Sequence, residues 1–516
     1  MDNKNRFTIE RSTLVLILIF SIIKLLIHLY TNAFAGYGIF RDELYYLSCA
    51  TRPDFGYVDQ PPFSIWILGL IRFIIGDSVV AIRLLPAILG AATVFVTGLM
   101  VKQMGGGKLA ILIASLAVIL APIYFGMNTF YSMNSFDIFL WALAFYFILR
   151  IIQQDKKSLW IWFGVILGIG LLNKVSFLWF GFGFFAALLL TDKRRLLATS
   201  KPWMVAGIAF SLFLPFIIWN AAHNWAHVEF IQNAQMYKYA GITRWDFVSG
   251  ILPIMNPAAA LIWLSGLFFL FISKDGKQFR ILGIIFIATF LILFISGKSK
   301  SEYLAPAFTV LFAAGGIALE KINQIKYWQW LKHLVIIPLI ILGIVLTPLA
   351  LPILPVKEYI NYASTLGFGP TTAESKELAE LPQFYADMHG WEDMAKNVSF
   401  VYQQIPENEK PFTFVYGRNY GQAGAMEYFS TKYDLPNAIS SHNNFWFWVD
   451  TTKEVKNIII IGGRLEDHLD SFIKVDSVFV HKTRYAMPYE NNLTIFMCKK
   501  LKRSLSEIWV SIRHYE

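Results

Sequence analysis

The chain contains twelve long apolar runs, and these runs constrain its fold more than any other feature. Most are close to the roughly 17–25 residues that an α-helix needs to cross a bilayer. They are residues 14–30, 64–76, 80–101, 109–126, 134–151, 158–172, 176–190, 203–220, 251–272, 281–297, 303–319 and 331–352. Only 16% of the residues are charged, whereas a soluble domain carries about 25%. The sequence therefore predicts a polytopic α-helical membrane protein.

The run 64–76 differs from the others. It has 13 residues, contains Arg72 and follows Pro61-Pro62, and this length suits an interfacial or re-entrant segment better than a span. If it does not cross and the N-terminus, with Lys4 and Arg6, is cytoplasmic, the inside loops hold 18 Lys and Arg against 9 in the outside loops before residue 356. The positive-inside rule therefore favours about 11 spans with a cytoplasmic N-terminus.

Charge and cysteine content exclude several classes of protein. The net charge of +10 does not indicate a nucleic-acid partner, because Lys and Arg collect in the cytoplasmic loops of membrane proteins. Two cysteines, Cys49 and Cys498, exclude a disulfide framework and a Cys-rich metal site. His223 and His227 lie four residues apart without an HExxH motif. We predict no required cofactor and no metal site. Binding of a divalent cation by the acids of the first outer loop stays an open alternative.

The composition changes after Pro355. Short β-rich runs alternate with helical patterns, which is typical of an α/β layer, and Gly417, Gly421 and Gly424 indicate turns. We divide the chain into a transmembrane catalytic domain (1–355, with its first outer loop at 31–79), a small extracytoplasmic α/β domain (356–500) and a basic tail (501–516).

Three acids stand in the first outer loop. Asp42 and Glu43 are adjacent, and Asp59 precedes Gln60 and the proline pair. A positioned carboxylate can remove a proton from an acceptor hydroxyl, so we predict Asp42 as a general base, with Glu43 binding acceptor or a cation. The alternative is an interfacial acid pair bonded to arginine or backbone. Asp59 either orients the acceptor or caps the next segment.

Other polar residues interrupt apolar runs on the same predicted outer face. Asp137 lies in MNSFDIFLW, where an acid indicates a functional site unless it caps or packs the helix end. Lys174, Lys298, Lys300 and Tyr303 lie in LLNKVSF and SGKSKSEYLAP. Lysines and a tyrosine hydroxyl at that depth suit the phosphate of a polyprenyl-phosphate donor and could stabilise it as it departs. The alternative is that the lysines are snorkelling anchors.

These motifs together resemble the GT-C superfamily of polyprenyl-phosphate-dependent glycosyltransferases. More narrowly, they resemble the bacterial glycosyltransferase family 39 set, which is related to protein O-mannosyltransferases and lipid A aminoarabinose transferases. The resemblance covers most of residues 36–320, together with C-terminal phrases such as MPYEN. The matching stretches are RDELYYLSCA, GYVDQPPFSIW, RLLPAILGA, MNSFDIFLW, LLNKVSF, KSKSEYLAPAF and YGQAGAMEYFSTKYDLPNAISSHNNFWFW.

The resemblance implies an inverting transfer of a sugar from a polyprenyl-phosphate donor to an acceptor on the outer face of the membrane. Asp42 matches the first-loop catalytic aspartate of the superfamily, and Tyr303 matches a phosphate-contacting tyrosine. Because MNSFD departs from the usual TD-type signature, the role of Asp137 stays open. The resemblance also implies the bacterial plasma (inner) membrane, an extracytoplasmic C-terminal domain and a lipid, glycan or protein acceptor.

Two other classes of protein fit the sequence less well. A lipid flippase or transporter would show pseudo-repeats and charges along a central path, whereas here the acids concentrate at one face. A noncatalytic membrane scaffold that binds glycan would tolerate the loss of Asp42.

Overall fold

The structure, a computed structural model, describes residues 10–372 and 376–516, so that Lys4 and Arg6 lie outside the described part. The described chain forms two units. The first comprises residues 10–35, 82–218 and 239–355, and the second comprises residues 36–81, 219–238 and 356–516 without 373–375.

The first unit is helical. Its α-helices, two of which extend a few residues past the unit boundary, are Arg11–Phe34, Val79–Gln103, Lys108–Leu120, Pro122–Met127, Met133–Gln154, Lys157–Asn173, Phe177–Leu189, Ser200–Ala222, Arg244–Ile254, Ala260–Phe271, Arg280–Ser296, Phe308–Asn323 and Leu331–Ala350. Short 3-10 turns lie at Asp192–Ala198, Pro257–Ala259, Lys277–Phe279, Ser301–Ala307 and Lys326–Trp328.

Seven helices of the described chain are long and apolar enough to cross a membrane, and the bent pair Arg244–Ile254 and Pro257–Phe271, which turns by 96°, makes an eighth if it is one span. Shorter apolar helices cover Phe63–Ile75, Lys108–Leu120, Lys157–Asn173 and Phe177–Leu189. The protein is therefore an integral membrane protein. The count of 11, which counts the last three of these short helices and omits Phe63–Ile75, stays a prediction.

Small residues let the helices of the first unit approach closely. A Cβ on Gly315 would collide with the carbonyl oxygen of Ile262, and one on Gly266 with that of Leu311. Helices Ala260–Phe271 and Phe308–Asn323 therefore pack backbone to backbone, as small residues allow in membranes. This contact fixes the start of helix Phe308–Asn323, which directly follows the turn that carries Tyr303.

The second unit contains the predicted α/β layer. Its strands are β1 (Thr413–Gly417), β2 (Ala438–Ile439), β3 (Asn457–Ile461), β4 (Phe472–His481) and β5 (Leu493–Leu501), in the order β2-β1-β3-β5-β4. β1 is parallel to β2 and β3, while β5 is antiparallel to β3 and β4. Its helices are Arg41–Ala50, Phe63–Ile75, Ala226–Asn233, Val356–Thr365, Gln383–Ala386, Trp391–Gln403, Tyr420–Tyr428, Ser430–Tyr433, Phe445–Trp448, Leu465–Leu469 and Leu505–Ser511.

The residues after Lys500 belong to this α/β layer and are not only a basic tail. β5 continues to Leu501, and a helix follows at Leu505–Ser511. Leu505, Ile508 and Trp509 are buried, and Leu505 and Trp509 join the core cluster that contains Phe414 and Phe496. Leu505, Ile508 and Trp509 are spaced by three and four residues and so lie on one face of the helix, which packs on the sheet. The basic residues that precede them drew attention away from this pattern.

Residues 36–81, which contain most of the predicted first outer loop, pack with the C-terminal residues. The sequence assigned loop 31–79 to the transmembrane domain, but residues 36–81 cluster in the second unit. Helix Arg41–Ala50 lies against helix Tyr420–Tyr428, where a Cβ on Gly424 would stand 2.9 Å from the carbonyl carbon of Leu44. Gly421 and Gly424 are therefore a helix-packing surface and not turns, which corrects the sequence interpretation.

Candidate active site

Asp42 occupies the first turn of helix Arg41–Ala50. Its Oδ1 accepts a hydrogen bond from the Tyr420 hydroxyl at 2.8 Å, and the Arg41 Nε lies 3.6 Å from the same oxygen. The side chain is 29% exposed. A helix N-terminus favours a carboxylate, and partial exposure leaves this one accessible to a ligand. Asp42 thus has the surroundings that a positioned base needs.

Glu43 has different surroundings. It is fully buried, and its Oε2 accepts the backbone N–H of Phe40 at 2.9 Å. This bond satisfies a donor at the start of helix Arg41–Ala50, as the acid of a capping box does. The contact assigns Glu43 to holding the helix that carries Asp42.

Asp59 is tied into a buried network. Its Oδ1 accepts from the Tyr45 hydroxyl at 3.0 Å, and that hydroxyl also lies 3.1 Å from Oδ1 of Asn444. The same Asn444 oxygen accepts the backbone N–H of Val58 at 2.6 Å. Asp59 is therefore positioned by a side chain of the Arg41–Ala50 helix and, through Tyr45, by Asn444.

Two carboxyl groups of the second unit hold their protons to unusually high pH. Desolvation raises the pKa of Asp59 to about 7, the Asp42 charge adds to the effect, and the Tyr45 hydrogen bond opposes it. Desolvation also raises the pKa of Glu490 to about 7, although the amides of Gln422 and Asn419 donate to it at 2.8 and 2.7 Å. Asp59 can therefore change protonation near neutral pH.

The sequence analysis did not identify the C-terminal residues that surround Asp42 and Asp59. Arg41 donates to the Tyr489 hydroxyl at 2.7 Å, and that hydroxyl donates to Asp387 at 3.1 Å. Tyr420 contacts Asp42 directly, and Asn444 reaches Asp59 through the Tyr45 hydroxyl. Both stand in the phrase YGQAGAMEYFSTKYDLPNAISSHNNFWFW, which was noted only for its resemblance and was the one signal for them.

Asp137 and Lys174 form a buried pair in the first unit. Asp137 is 2% exposed, and its Oδ2 lies 3.6 Å from the Lys174 ammonium, which also donates to Oδ1 of Asn134 at 2.8 Å. The Ser132 hydroxyl accepts the backbone N–H of Asn134 and caps helix Met133–Gln154. Because Ser132 caps this helix, Asp137 does not serve as its cap. The Asp137 carboxylate instead pairs with the Lys174 ammonium.

Aromatic rings connect Lys174 with the 297–303 turn. The Lys174 ammonium lies 5.4 Å from the centre of the Tyr303 ring, and the Tyr303 hydroxyl donates to that of Tyr239 at 2.9 Å. The Lys300 ammonium lies 4.9 Å from the Tyr239 ring and 3.8 Å from Glu302. Two cations and two phenols drawn from distant stretches thus come together, which is the chemistry that binds phosphate oxygens.

The predicted site residues therefore fall into two groups. Asp42, Glu43 and Asp59 lie in the second unit, and Asp137, Lys174, Lys300 and Tyr303 are connected by contacts within the first. Lys298 belongs to the first unit and is exposed. Within residues 10–372 and 376–516, no three His, Cys, Asp or Glu side chains stand together as a metal site would require.

Comparison with solved structures identifies the fold. ArnT from Cupriavidus metallidurans superposes with a TM-score of 0.62 at 12% identity, over 93% of this chain and 97% of that one. The same protein bound to undecaprenyl phosphate gives a TM-score of 0.61. The Archaeoglobus fulgidus oligosaccharyltransferase gives 0.53 at 13% identity, over 87% of this chain and 68% of that one. The chain has the GT-C membrane fold. The predicted fold class, many membrane helices followed by a small α/β region, is confirmed.

Sequence comparison agrees with the GT-C fold. Residues 59–219 match the model of the dolichyl-phosphate-mannose-protein mannosyltransferase family. The lipid A galacturonosyltransferase RgtD of Rhizobium johnstonii is 23% identical over 236 residues, which are 45% of this chain and 50% of that protein. The chain spans about half the length of this curated relative. The resemblance to the GT-C superfamily is thereby supported from both sequence and fold.

Proposed function

We propose that this chain is a membrane glycosyltransferase that moves a sugar from a polyprenyl-phosphate donor to an acceptor hydroxyl. The observation that carries the proposal is the cluster of Lys174, Lys300 and Tyr303 in the first unit. Cations in a membrane protein are costly unless they have a partner or a function, and a lipid-linked phosphate gives these a function. The fold shared with ArnT, which has been seen with undecaprenyl phosphate, supports the same donor class.

The reaction assigns a distinct role to each group. Asp42 takes the proton of the acceptor hydroxyl as the hydroxyl oxygen attacks the anomeric carbon. The bond from that carbon to the phosphate oxygen breaks, and the polyprenyl phosphate leaves with the bonding electron pair. Lys174, Lys300 and Tyr303 stabilise the charge that develops on the phosphate. A single displacement of this kind inverts the anomeric configuration.

The other residues take supporting roles. Glu43 caps the helix of Asp42, and Asp59 orients the acceptor, since its carboxyl can also accept or donate a hydrogen bond near neutral pH. Asp137 holds the Lys174 ammonium in place, and Lys298, which is exposed, contributes to attracting the anionic donor.

The proposal also assigns a location and partners. The protein lies in a bacterial plasma membrane with its N-terminus in the cytoplasm, and the α/β domain, residues 356–500 and the following basic residues, lies outside. The donor is a polyprenyl-phosphate sugar, and the acceptor is a lipid, a glycan or a protein. The excess of Lys and Arg on the predicted inner face supports this orientation.

The test is turnover of a panel of polyprenyl-phosphate sugars by the purified protein in lipid. Membrane extract supplies the acceptor, and donor consumption and product mass are measured together. We expect one donor to be consumed and its sugar to appear on a product of opposite anomeric configuration. Transbilayer movement of a donor without its consumption would instead establish the flippase class, and consumption of no donor would favour a scaffold.

A further inference from the structure

A concave groove lies at one end of the sheet in the second unit, remote in sequence from the proposed site acids. Its volume is about 830 Å³, which is within the usual range of ligand sites. Its walls are formed by residues 451–453, 455–457 and 499–506 together with Glu409. The register that pairs Asn457 of β3 with Lys499 of β5 brings these stretches together.

The lining of this basic groove is strongly positive. Its six cations are Lys453, Lys456, Lys499, Lys500, Lys502 and Arg503. Glu409 is the one acid in the lining, and it is already engaged by Lys499 at 3.1 Å and by the Asn457 amide at 2.9 Å. Lys453, Lys500 and Arg503 are exposed and form no ion pair with any described residue. Lys453 interacts with the nearby Asp450 carboxylate, so at least two of the cations, Lys500 and Arg503, are uncompensated.

The shape and polarity of the basic groove favour a particular ligand. A cleft lined by one sign of charge concentrates the field and attracts a counter-ion of matching size. Hydroxyl groups of Thr451, Ser504 and Ser506 also line it, and these can bond to sugar hydroxyls. Lys500 adopts φ of 60°, a left-handed conformation that is uncommon for a non-glycine residue.

We propose that the basic groove binds an anionic saccharide that carries at least two phosphate or carboxylate groups. Lys and Arg form strong, charge-assisted hydrogen bonds with such groups, and the hydroxyls accommodate the sugar between them. A surface for anionic lipid would combine its cations with a projecting apolar face, whereas this lining is concave and mixes its polar side chains with Val455, Leu501 and Leu505. The inference does not rest on the proposed transfer reaction.

The test measures binding of fluorescent trigalacturonate to the detergent-purified full chain, with fluorescent maltotriose as the neutral probe. The groove variant is Lys453→Gln/Lys500→Gln/Arg503→Gln. The control variant, Lys396→Gln/Lys432→Gln/Lys474→Gln, removes the same charge from exposed positions of the same unit outside the groove lining. All six positions are exposed, so we expect both variants to fold with melting temperatures near that of the wild type.

We expect wild type and control variant to bind trigalacturonate in preference to maltotriose, and the groove variant to bind it at least about tenfold more weakly. Affinity should fall as salt is raised. Equal affinity of the groove and control variants would overturn the proposal. It would also be overturned by equal binding of the two probes.

Discussion

Lys174 is the residue whose two contacts suggest two different roles. It neutralises the buried Asp137 carboxylate, and it lies over the Tyr303 ring, where we propose that the donor phosphate binds. A single substitution cannot separate these roles, because Lys174→Gln alone leaves a buried carboxylate unpaired, which is strongly destabilising.

The double variant Asp137→Asn/Lys174→Gln separates them. If Lys174 binds the donor, the double variant folds but its KM for the donor rises roughly 10- to 100-fold, as the loss of a charged hydrogen bond predicts. The measurement is initial rate against donor concentration, with Asp137→Asn as the control that retains the lysine. Recovery of wild-type KM in the double variant would mean that Lys174 serves only to balance Asp137.

Asp59 makes stability depend on pH with a defined sign. Its folded-state pKa of about 7 lies above the unfolded value of about 3.9, so the folded protein binds more protons between these values. The contribution of the Asp59 carboxyl to the free energy of unfolding is therefore fully present below about pH 4 and is lost as pH rises through about 7. Asp59→Asn, which cannot ionise, should raise the melting temperature at pH 8 by at least about 2 °C and leave it unchanged at pH 4. An equal shift at both pH values would mean that the carboxyl is not desolvated.

Some residues of the candidate site could be proposed from the sequence because they contrast with their surroundings. Asp42, Lys174 and Lys300 are charges beside apolar runs, where each needs an explanation. Tyr420 and Asn444 could not be predicted, since tyrosines and asparagines are unremarkable in a polar region and their partners, Asp42 and Tyr45, lie 378 and 399 residues away.

At the scale of elements, the contact between helices Arg41–Ala50 and Tyr420–Tyr428 determines where Asp42 points. The sequence suggested turns at Gly421 and Gly424, because glycine weakens a helix interior. Their spacing of three residues was the overlooked signal, since it places both glycines on one side of a helix. Local preference was overridden by packing, and packing partners far apart in the chain are not visible in the sequence.

Gly424→Ala tests this contact. The added Cβ would stand 2.9 Å from the Leu44 carbonyl carbon, and backbone cannot move aside as a side chain can, so we expect a loss of about 1–3 kcal/mol of stability. Gly207→Ala is the control, because it lies inside helix Ser200–Ala222 with no atom within 4 Å of the added Cβ. Thermal unfolding of both variants is measured in one detergent. A Gly424 variant as stable as the Gly207 variant would contradict the packing.

At the scale of the whole molecule, the fold class followed from the apolar runs, while the number of spans did not. Helix Phe63–Ile75 has 13 residues and is about 20 Å long, shorter than the roughly 30 Å of hydrocarbon. Length alone leaves such a helix ambiguous, and charge distribution decided against a crossing. The orientation of every later loop depends on this one helix.

Cysteine labelling tests that orientation. Cys49 and Cys498 are buried, so background labelling of intact cells should be low. An impermeant maleimide should label Lys432→Cys from outside, and Arg194→Cys only after the cells are opened. The reverse pattern would mean that Phe63–Ile75 crosses the membrane and that the α/β layer is cytoplasmic.

We propose Asp42 as the base of a sugar-transfer reaction, and replacing this residue tests the proposal most directly. The measurement is the rate of transfer by purified protein in lipid for wild type, Asp42→Asn and Asp42→Glu, with melting temperature as the check on folding. We predict that Asp42→Asn folds normally and loses at least about 100-fold in rate, in line with general-base effects, and that Asp42→Glu retains part of the activity. Full activity in Asp42→Asn would contradict the claim.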